Sequence, residues 1–367
     1  MKCKKLHILS WLPALVAAVL SVLSCGQGSS SRDGAGPEAY YTNPIYPHGS
    51  SPYLIRHGGH YYYMQSMYDH VSIWRTDDIA DLKNAEEHVI YAPGEEYYIS
   101  APRLYRLGGV WYLYFSSDGG TGAVRHIYVM ENPSEDPLEG TFTMKDWIRT
   151  GNRKDIHPTV FEYRGDRYLL WSGTRSDLSS RENLWNIYIA RMDTPWSICT
   201  EETVICTPEY EWESQWVDED GTAMPVPSLV TEAPTLLYSR DSTRLLLYYA
   251  ASETYTSYYC EGMMTAEYGA DVLDPASWHK HPEPVFSKSE KNGVLGTGHL
   301  SFFSAGEELY ILYNGKSRLP DMHAVDNRSP RMQPVRWGAD GIPDLGEPVR
   351  EDSLLLKPVP ADHQGKE

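Results

Sequence analysis

A five-fold internal repeat constrains this chain more than any other feature. Four stretches share a proline, an apolar pair, a short turn that usually contains glycine, and then a strand rich in Tyr and Leu. Ser51-Pro52-Tyr53-Leu54 leads to Tyr61-Tyr62-Tyr63-Met64, and Ala101-Pro102-Arg103-Leu104 leads to Trp111-Tyr112-Leu113-Tyr114. His157-Pro158-Thr159-Val160 leads to Tyr168-Leu169-Leu170-Trp171, and Ala233-Pro234-Thr235-Leu236 leads to Leu245-Leu246-Leu247-Tyr248. A fifth, without proline, runs from His299-Leu300-Ser301-Phe302 to Leu309-Tyr310-Ile311-Leu312. Further short strands follow each unit, and no long 3.6-residue apolar period interrupts the series. Five such units predict an all-β, five-bladed β-propeller, because each unit buries its faces only against its neighbours. The first strand of every blade then lines the axis, so Ser51, Ala101, His157, Glu232 and His299 are expected around one pocket. A two-sheet sandwich also has many short strands but does not call for five similar openings.

What precedes the repeats reads as an export signal rather than as part of the fold. Lys2, Lys4 and Lys5 precede an apolar run from Leu6 to Leu23, too short and too N-terminal for an ordinary membrane span. Val22-Leu23-Ser24-Cys25 fits the site at which a bacterial lipoprotein is cut, which predicts a signal over 1–24 and a lipidated Cys25. Residues 25–39, rich in Gly and Ser, read as a flexible tether, 40–357 as the propeller and 358–367 as a tail. The expected product is an exported lipoprotein at the outer membrane or facing the periplasm, a monomer touching the membrane only through its lipid. The formal charge of −18 falls to about −21 once the three signal lysines are gone, which argues against nucleic acid. Cys199 and Cys206 flank six residues at a spacing that suits either a hairpin disulfide or free thiols.

Glu232, in Val230-Thr231-Glu232-Ala233-Pro234, opens an otherwise apolar strand. A carboxyl entering a crowded channel should have a raised pKa, as a general acid near neutral pH requires. Beside it stand Asn43-Pro44, Tyr112-Leu113-Tyr114-Phe115, Pro158-Thr159-Val160-Phe161-Glu162, Leu170-Trp171-Ser172-Gly173 and Asp274-Pro275-Ala276-Ser277-Trp278. Pro282-Glu283-Pro284-Val285-Phe286, Gly296-Thr297-Gly298-His299 and Arg328-Ser329-Pro330-Arg331-Met332-Gln333-Pro334 complete the set. Together they make the chain resemble glycoside hydrolase family 43, in particular its exo-acting α-L-arabinofuranosidases. The resemblance implies a five-bladed propeller that cleaves arabinose- or xylose-containing glycans with inversion. Inversion uses a general acid and a base whose carboxyls stand about 6.5–9.5 Å apart.

Glu232 falls on the acid of the family's Glu-Gly-Pro motif, here Glu232-Ala233-Pro234. At three other positions the chain departs from the family pattern. The base, normally in Asp-Pro, is replaced in Ser51-Pro52; the aspartate that tunes the acid is replaced by His157 after Ile156; and Trp-Ala-Pro-Glu becomes Ser100-Ala101-Pro102-Arg103. Substitute bases by residue type are His157, Asp155, Glu95 and Glu96. These exchanges make the pocket more positive, so it either accepts an anionic sugar on Arg103 or lets Arg103 pair with a carboxylate of its own fold. Tyr97, Tyr98 and Trp171 are candidates for stacking on a sugar or for core packing. By resemblance, Arg331 is expected near the sugar and His299 near an axial calcium or water cluster; no cofactor is required otherwise. Two readings follow: a hydrolase of plant-polysaccharide side chains with Glu232 as acid and an unassigned base, or a catalytically deficient glycan-binding propeller.

Overall fold

The computed structural model of the protein describes residues 37–94, 97–122, 124–175, 182–318 and 327–359. Cys25 and the signal segment lie outside them, as do Glu95 and Glu96. Among the described residues helix is confined to short 3-10 turns, and the rest of the regular structure is strand. Tyr53–His57, His60–Met64, Val71–Thr76 and Glu86–Tyr91 form an antiparallel four-stranded sheet in chain order. The same arrangement recurs in Ile99–Leu107, Val110–Ser117, His126–Asn132 and Thr143–Trp147, and again in Leu295–Ala305, Glu308–Lys316, Arg328–Trp337 and Pro343–Asp344. A nine-stranded sheet lies between them in sequence. It comprises two such meanders, opened by Lys154–Tyr163 and by Ser228–Tyr238, joined where Asn183–Trp185 pairs in parallel with Ser228–Val230. The glycine turns do what the repeat required. Gly58-Gly59 and Gly108-Gly109 take up left-handed φ of 60° and 89°, and of 59° and 85°, the geometry that lets two residues reverse a twisted hairpin.

The first strands of the meanders carry a shared irregularity. Ser51, Ala101, His157, Ala233 and His299 all have φ between 50° and 59°, a left-handed conformation that costs a residue with a Cβ about 1 kcal/mol or more. The ladder skips at this point, between Ser100 and Arg103, Ile156 and Thr159, Glu232 and Thr235, and Gly298 and Ser301. Neighbouring meanders hold the kink in place. The N–H of Ala101 donates to Ser66 Oγ and that of Ala233 to Ser172 Oγ, each at 2.8 Å. Just beyond the kink, Tyr53 donates to the Leu104 carbonyl, Thr159 to that of Pro234, Thr235 to that of Leu300 and Ser301 to that of Pro52. The last of these bonds returns from the final meander to the first.

Apolar packing follows the same order. One cluster joins Tyr62 and Met64 to Leu104 and Trp111, and the next joins Tyr114 and Val129 to Leu169 and Trp171. Leu170 and Ile189 then pack with Leu245 and Tyr249, and Leu246 and Tyr248 with Leu300 and Ile311. The cluster of Tyr61, Tyr63 and Trp74 with Phe303, Tyr310 and Met332 brings the first meander against the last. Tyr40–Tyr41 adds a strand to Leu355–Leu356, and the Asn43 side chain both donates to and accepts from the backbone of Met332. Beyond position 357 the chain stays attached, because Tyr61 donates to the Val359 carbonyl at 3.2 Å.

Cys199, Cys206 and Cys260 are free thiols, so the disulfide alternative for Cys199 and Cys206 is not realised. Both segments pair with the same strand: Cys206 faces Ile187, whereas the Cys199 N–H bonds to the Arg191 carbonyl. Four residues of strand separate these points by roughly 13 Å, about twice the Cα span of a disulfide. Trp74 is 1 % exposed in the cluster between the first and last meanders. Trp74→Ala is expected to lose about 3–5 kcal/mol of stability in equilibrium denaturation; a loss below about 1 kcal/mol would mean that this contact does not hold the ends together.

Candidate active site

The kinks deliver side chains to one cavity of about 100 Å³, lined by Ser100, Ile156, His157, Glu232 and His299 from first strands and by Ser50 and Ser51 just before the first strand at Tyr53–His57. Ser66, Tyr68, Tyr98, Arg125, Thr254, Tyr255, Tyr259, Asn314 and Arg328 complete the wall. The left-handed residues correct one detail of the repeat. Ala233, not Glu232, is the counterpart of Ser51, Ala101, His157 and His299, and Glu232 shares its place with Ser100, Ile156 and Gly298. Glu232 still enters the cavity, because both the kinked residue and the one before it face the same end of the strand bundle.

Glu232 is the only carboxylate in the lining among the described residues. Its Oε1 accepts the Tyr259 hydroxyl at 2.8 Å, and its Oε2 lies 3.9 Å from His157 Nδ1. Burial pushes its pKa up to about 7; the tyrosine bond and Arg328 oppose that rise, and buried Glu253 adds to it. Room for Tyr259 comes from Gly298, where a Cβ would fall 2.5 Å from the tyrosine ring. A glycine in the fifth repeat thus permits the bond that orients Glu232 of the fourth.

His157 and His299 meet edge to face, their centroids 4.6 Å apart. Burial, and then the nearby arginines, push the pKa of His157 down; burial, His157 and the arginines do the same to His299. Both are therefore neutral imidazoles at pH 7. His157 Nδ1 lies 3.2 Å from Ser172 Oγ, whose other contact is the N–H of Ala233, so the serine can donate to the ring. His299 Nε2 is buried without a hydrogen-bond partner. Ser51 Oγ accepts from Ser66 Oγ at 3.1 Å.

Other expected residues lie elsewhere. Asp155 is fully buried, held by Trp171 Nε1 at 2.8 Å, Asn152 Nδ2 at 3.0 Å and Thr150 Oγ1; it does not share a face with His157, because the kink between them breaks the alternation. Trp171 is fully buried on Tyr188 and does not line the cavity, and Tyr97 packs in an apolar cluster. Tyr98 is in the lining. Arg103 is 2 % exposed, with its guanidinium over the Tyr53 ring at 4.9 Å. It reaches the site only as a buried charge, with no carboxylate within ion-pair distance among the described residues. Arg331 is buried against Ser317 and Glu351, at 2.7 and 2.6 Å. Arg328, three residues earlier and so on the opposite strand face, lines the cavity instead.

No group of three or more His, Cys, Asp or Glu side chains is placed to hold a metal among the described residues. Calcium needs six to eight oxygen ligands. His299 stands instead among His157, Arg103 and Arg328, a set of nitrogen donors and cations that does not fit calcium.

Folded-state protonation of Glu232 has a thermodynamic signature. Its pKa is raised, so the folded state holds a proton that the unfolded chain has released. Stability should therefore fall as pH rises from about 4.5 to about 7 and level off above that, by on the order of 3 kcal/mol. Glu232→Gln should flatten this slope and raise the melting temperature at pH 8 more than at pH 4.5. Equal shifts at both pH values would show that the carboxyl is not perturbed.

The model of the glycosyl hydrolases family 43 matches residues 41–343. An extracellular exo-alpha-(1->5)-L-arabinofuranosidase of Streptomyces avermitilis is 32 % identical over 351 residues, 92 % of this chain and 69 % of that protein. An alpha-L-arabinofuranosidase B of Pyricularia oryzae is 29 % identical over 93 % of this chain and 70 % of its own length. Among solved structures, an alpha-L-arabinofuranosidase from Lactobacillus brevis superposes with a TM-score of 0.74 at 30 % identity, covering 85 % of this chain and 98 % of the other. With the family match spanning nearly all of the folded residues, this chain belongs to glycosyl hydrolase family 43, whose members hydrolyse O-glycosyl bonds.

Proposed function

We propose that the protein is an exo-acting glycosidase that removes arabinose-containing side chains from plant-type polysaccharide, with Glu232 as general acid. The carrying observation is the place of that carboxyl, buried in the wall of the cavity and oriented by the Tyr259 hydroxyl, where burial pushes its pKa up to about 7. Such a group is about half protonated at pH 7, against almost none for an ordinary glutamate, and can give its proton to a leaving oxygen. Its relatives' names support the sugar: two are exo-acting L-arabinofuranosidases that are themselves extracellular. In this reading the five meanders are the blades of a five-bladed propeller, closed by the hydrogen bonds that run from Tyr53 round to Ser301. Export with lipidation at Cys25 would then place the enzyme at a membrane surface where polysaccharide arrives.

The reaction also needs a base on the far side of the sugar ring. Ser51 stands where the family carries an aspartate, and a hydroxyl does not take a proton from water at neutral pH. His157 is neutral and chemically able, but at 3.9 Å from Glu232 it is nearer the acid than the 6.5–9.5 Å that an attacking water needs. Turnover is accordingly expected to be about 10²–10⁴ below that of a complete acid–base pair. The second reading, a glycan-binding protein with little or no turnover, is favoured by that same serine and its bond to Ser66.

Release of sugar from a panel of neutral and acidic plant oligosaccharides by wild type and Glu232→Gln separates the two readings. Slow release by wild type that is lost in the variant supports the enzyme; binding with no release by either supports the second reading. Ser51→Asp restores a carboxylate at the position of the base and should raise turnover at least tenfold with little change in KM. An unchanged rate would mean that water is activated from elsewhere or that the site does not turn over.

A further inference from the structure

The place opposite the residue before each kink recurs in all five meanders. Ser116, Ser172, Ala250 and Asn314 stand opposite Ser100, Ile156, Glu232 and Gly298, and the Ser66 N–H bonds to the Ser50 carbonyl in the same way. From this place Ser66 and Ser172 accept the N–H of the next kinked residue, Ala101 and Ala233, each at 2.8 Å. Ser116 Oγ and Asn314 Oδ1 are buried there without a hydrogen-bond partner. The fourth meander has Ala250, whose methyl group offers no acceptor to the next kink, at His299.

That kink has another acceptor. Glu261, in the strand Cys260–Glu267, lies directly across from Ala250, and its side chain is fully buried. It reaches the fifth meander, where its Oε1 accepts the Leu300 N–H at 2.9 Å. Burial pushes its pKa well above the carboxylate range, against hydrogen bonding from the backbone of Leu300 and His299. The group is therefore a neutral acid that serves here as a hydrogen-bond acceptor. Its backbone is fixed on both sides. Ala250 pairs with it inside the sheet, and at the edge its N–H donates to Phe286 and its carbonyl accepts from Val285, each at 2.8 Å. A buried backbone N–H has to be paired, so a left-handed residue next to an alanine needs an acceptor from farther away.

What Glu261 holds is part of the cavity. His299 lines it and meets His157 edge to face, and His157 Nδ1 lies 3.9 Å from Glu232. Gly298, just before the kink, leaves the room for Tyr259, whose hydroxyl bonds Glu232. Tyr259 and Glu261 stand two residues apart and meet Gly298 and Leu300, which are also two apart, so one short segment grips the kink from both ends. We propose that Glu261 is the positioning residue of the fifth kink. Its carboxyl takes the part that a serine hydroxyl plays for Ala101 and Ala233, and it fixes His299 and Gly298 and, through them, the imidazole pair and the Tyr259–Glu232 bond. This rests on the reading that the cavity is the sugar site, and it adds to that site a residue that touches no substrate.

Three variants of the full-length protein provide the test: Glu261→Ala removes the acceptor, Glu261→Gln keeps it, and Glu261→Ala with Ala250→Ser supplies the hydroxyl found at Ser66 and Ser172. Each is studied well below its own melting temperature. Amide hydrogen exchange across 297–301 should quicken about tenfold or more in Glu261→Ala and stay near wild type in the other two, with the segments around Ala101 and Ala233 unchanged in all three. The imidazole nitrogen-15 signals of His299, identified by their loss in His299→Gln, should move in Glu261→Ala and return toward wild type in the double variant. On an oligosaccharide that the wild type cleaves, Glu261→Ala should lower kcat about tenfold or more with KM changed less than about threefold. Glu261→Gln should retain most of kcat, and the double variant should recover most of it. A lower melting temperature in Glu261→Ala with kcat and the His299 signals unchanged means a role in stability alone and overturns the proposal. Unchanged exchange at the fifth kink, or a loss in Glu261→Gln equal to that in Glu261→Ala, overturns it too. If Glu261→Ala does not fold, folding of the double variant supports the proposal and its failure to fold overturns it. Equal sugar release by all variants overturns it while leaving the glycosidase reading intact. A wild type that releases no sugar sinks that reading, and the exchange rates and His299 signals then decide the role of Glu261.

Discussion

The left-handed residue at the head of each first strand is the constraint from which the site follows. A strand that alternated regularly would send Ile156 and His157, or Glu232 and Ala233, to opposite faces. The kink turns both positions toward the same end of the strands, which is how Glu232 and His157 come within 3.9 Å although 75 residues separate them in sequence. Residues with a Cβ adopt this conformation only under restraint. Here the restraint is external to each strand: hydroxyls of Ser66 and Ser172 on the preceding meanders receive the backbone N–H of Ala101 and Ala233, and the apolar clusters lie between meanders. Folding of one meander therefore positions the cavity-lining side chains of the next.

The cavity combines conservative and altered chemistry in a physically coherent way. Glu232 stands at the cavity with burial raising its pKa and Tyr259 limiting the rise, and Gly298 leaves the space that this tyrosine fills. Where the family carries two further aspartates, the chain has Ser51, bonded to Ser66, and His157, a neutral ring against His299. Glu232 is the one carboxyl residue of the lining among the described residues.

Much of the fold was legible because proline marks it. Four of the five kinked residues precede a proline, which disfavours helix at the preceding residue and removes a ladder donor, so the repeat shows in the bare sequence. The same proline rule points to Ala233, which precedes Pro234, rather than to Glu232 as the counterpart of the other kinked residues, and its φ of 52° agrees. Arg331 and Arg328 sit in one quoted motif, and pattern alone did not decide between them. Strand parity places only one of them toward the cavity, but the sign of that choice depends on the register with Glu308–Lys316. Arg125, Tyr68, Tyr255 and Tyr259 come from strand ends and connections, where no period operates, and they meet through the circular order of the meanders. Trp171, open in the sequence to sugar stacking or core packing, takes the core alternative, and Asp155, a candidate base by residue type, is its buried hydrogen-bond partner.

The central claim is that Glu232 is a buried, protonated acid poised near neutrality. Carboxyl carbon-13 NMR of protein labelled at glutamate, with the Glu232 resonance identified by its loss in Glu232→Gln, measures this directly. A midpoint near pH 7 is the predicted result. A midpoint near 4.5, the ordinary glutamate range, would mean that the carboxyl is ionised in the working protein, and Glu232 could not then serve as the acid.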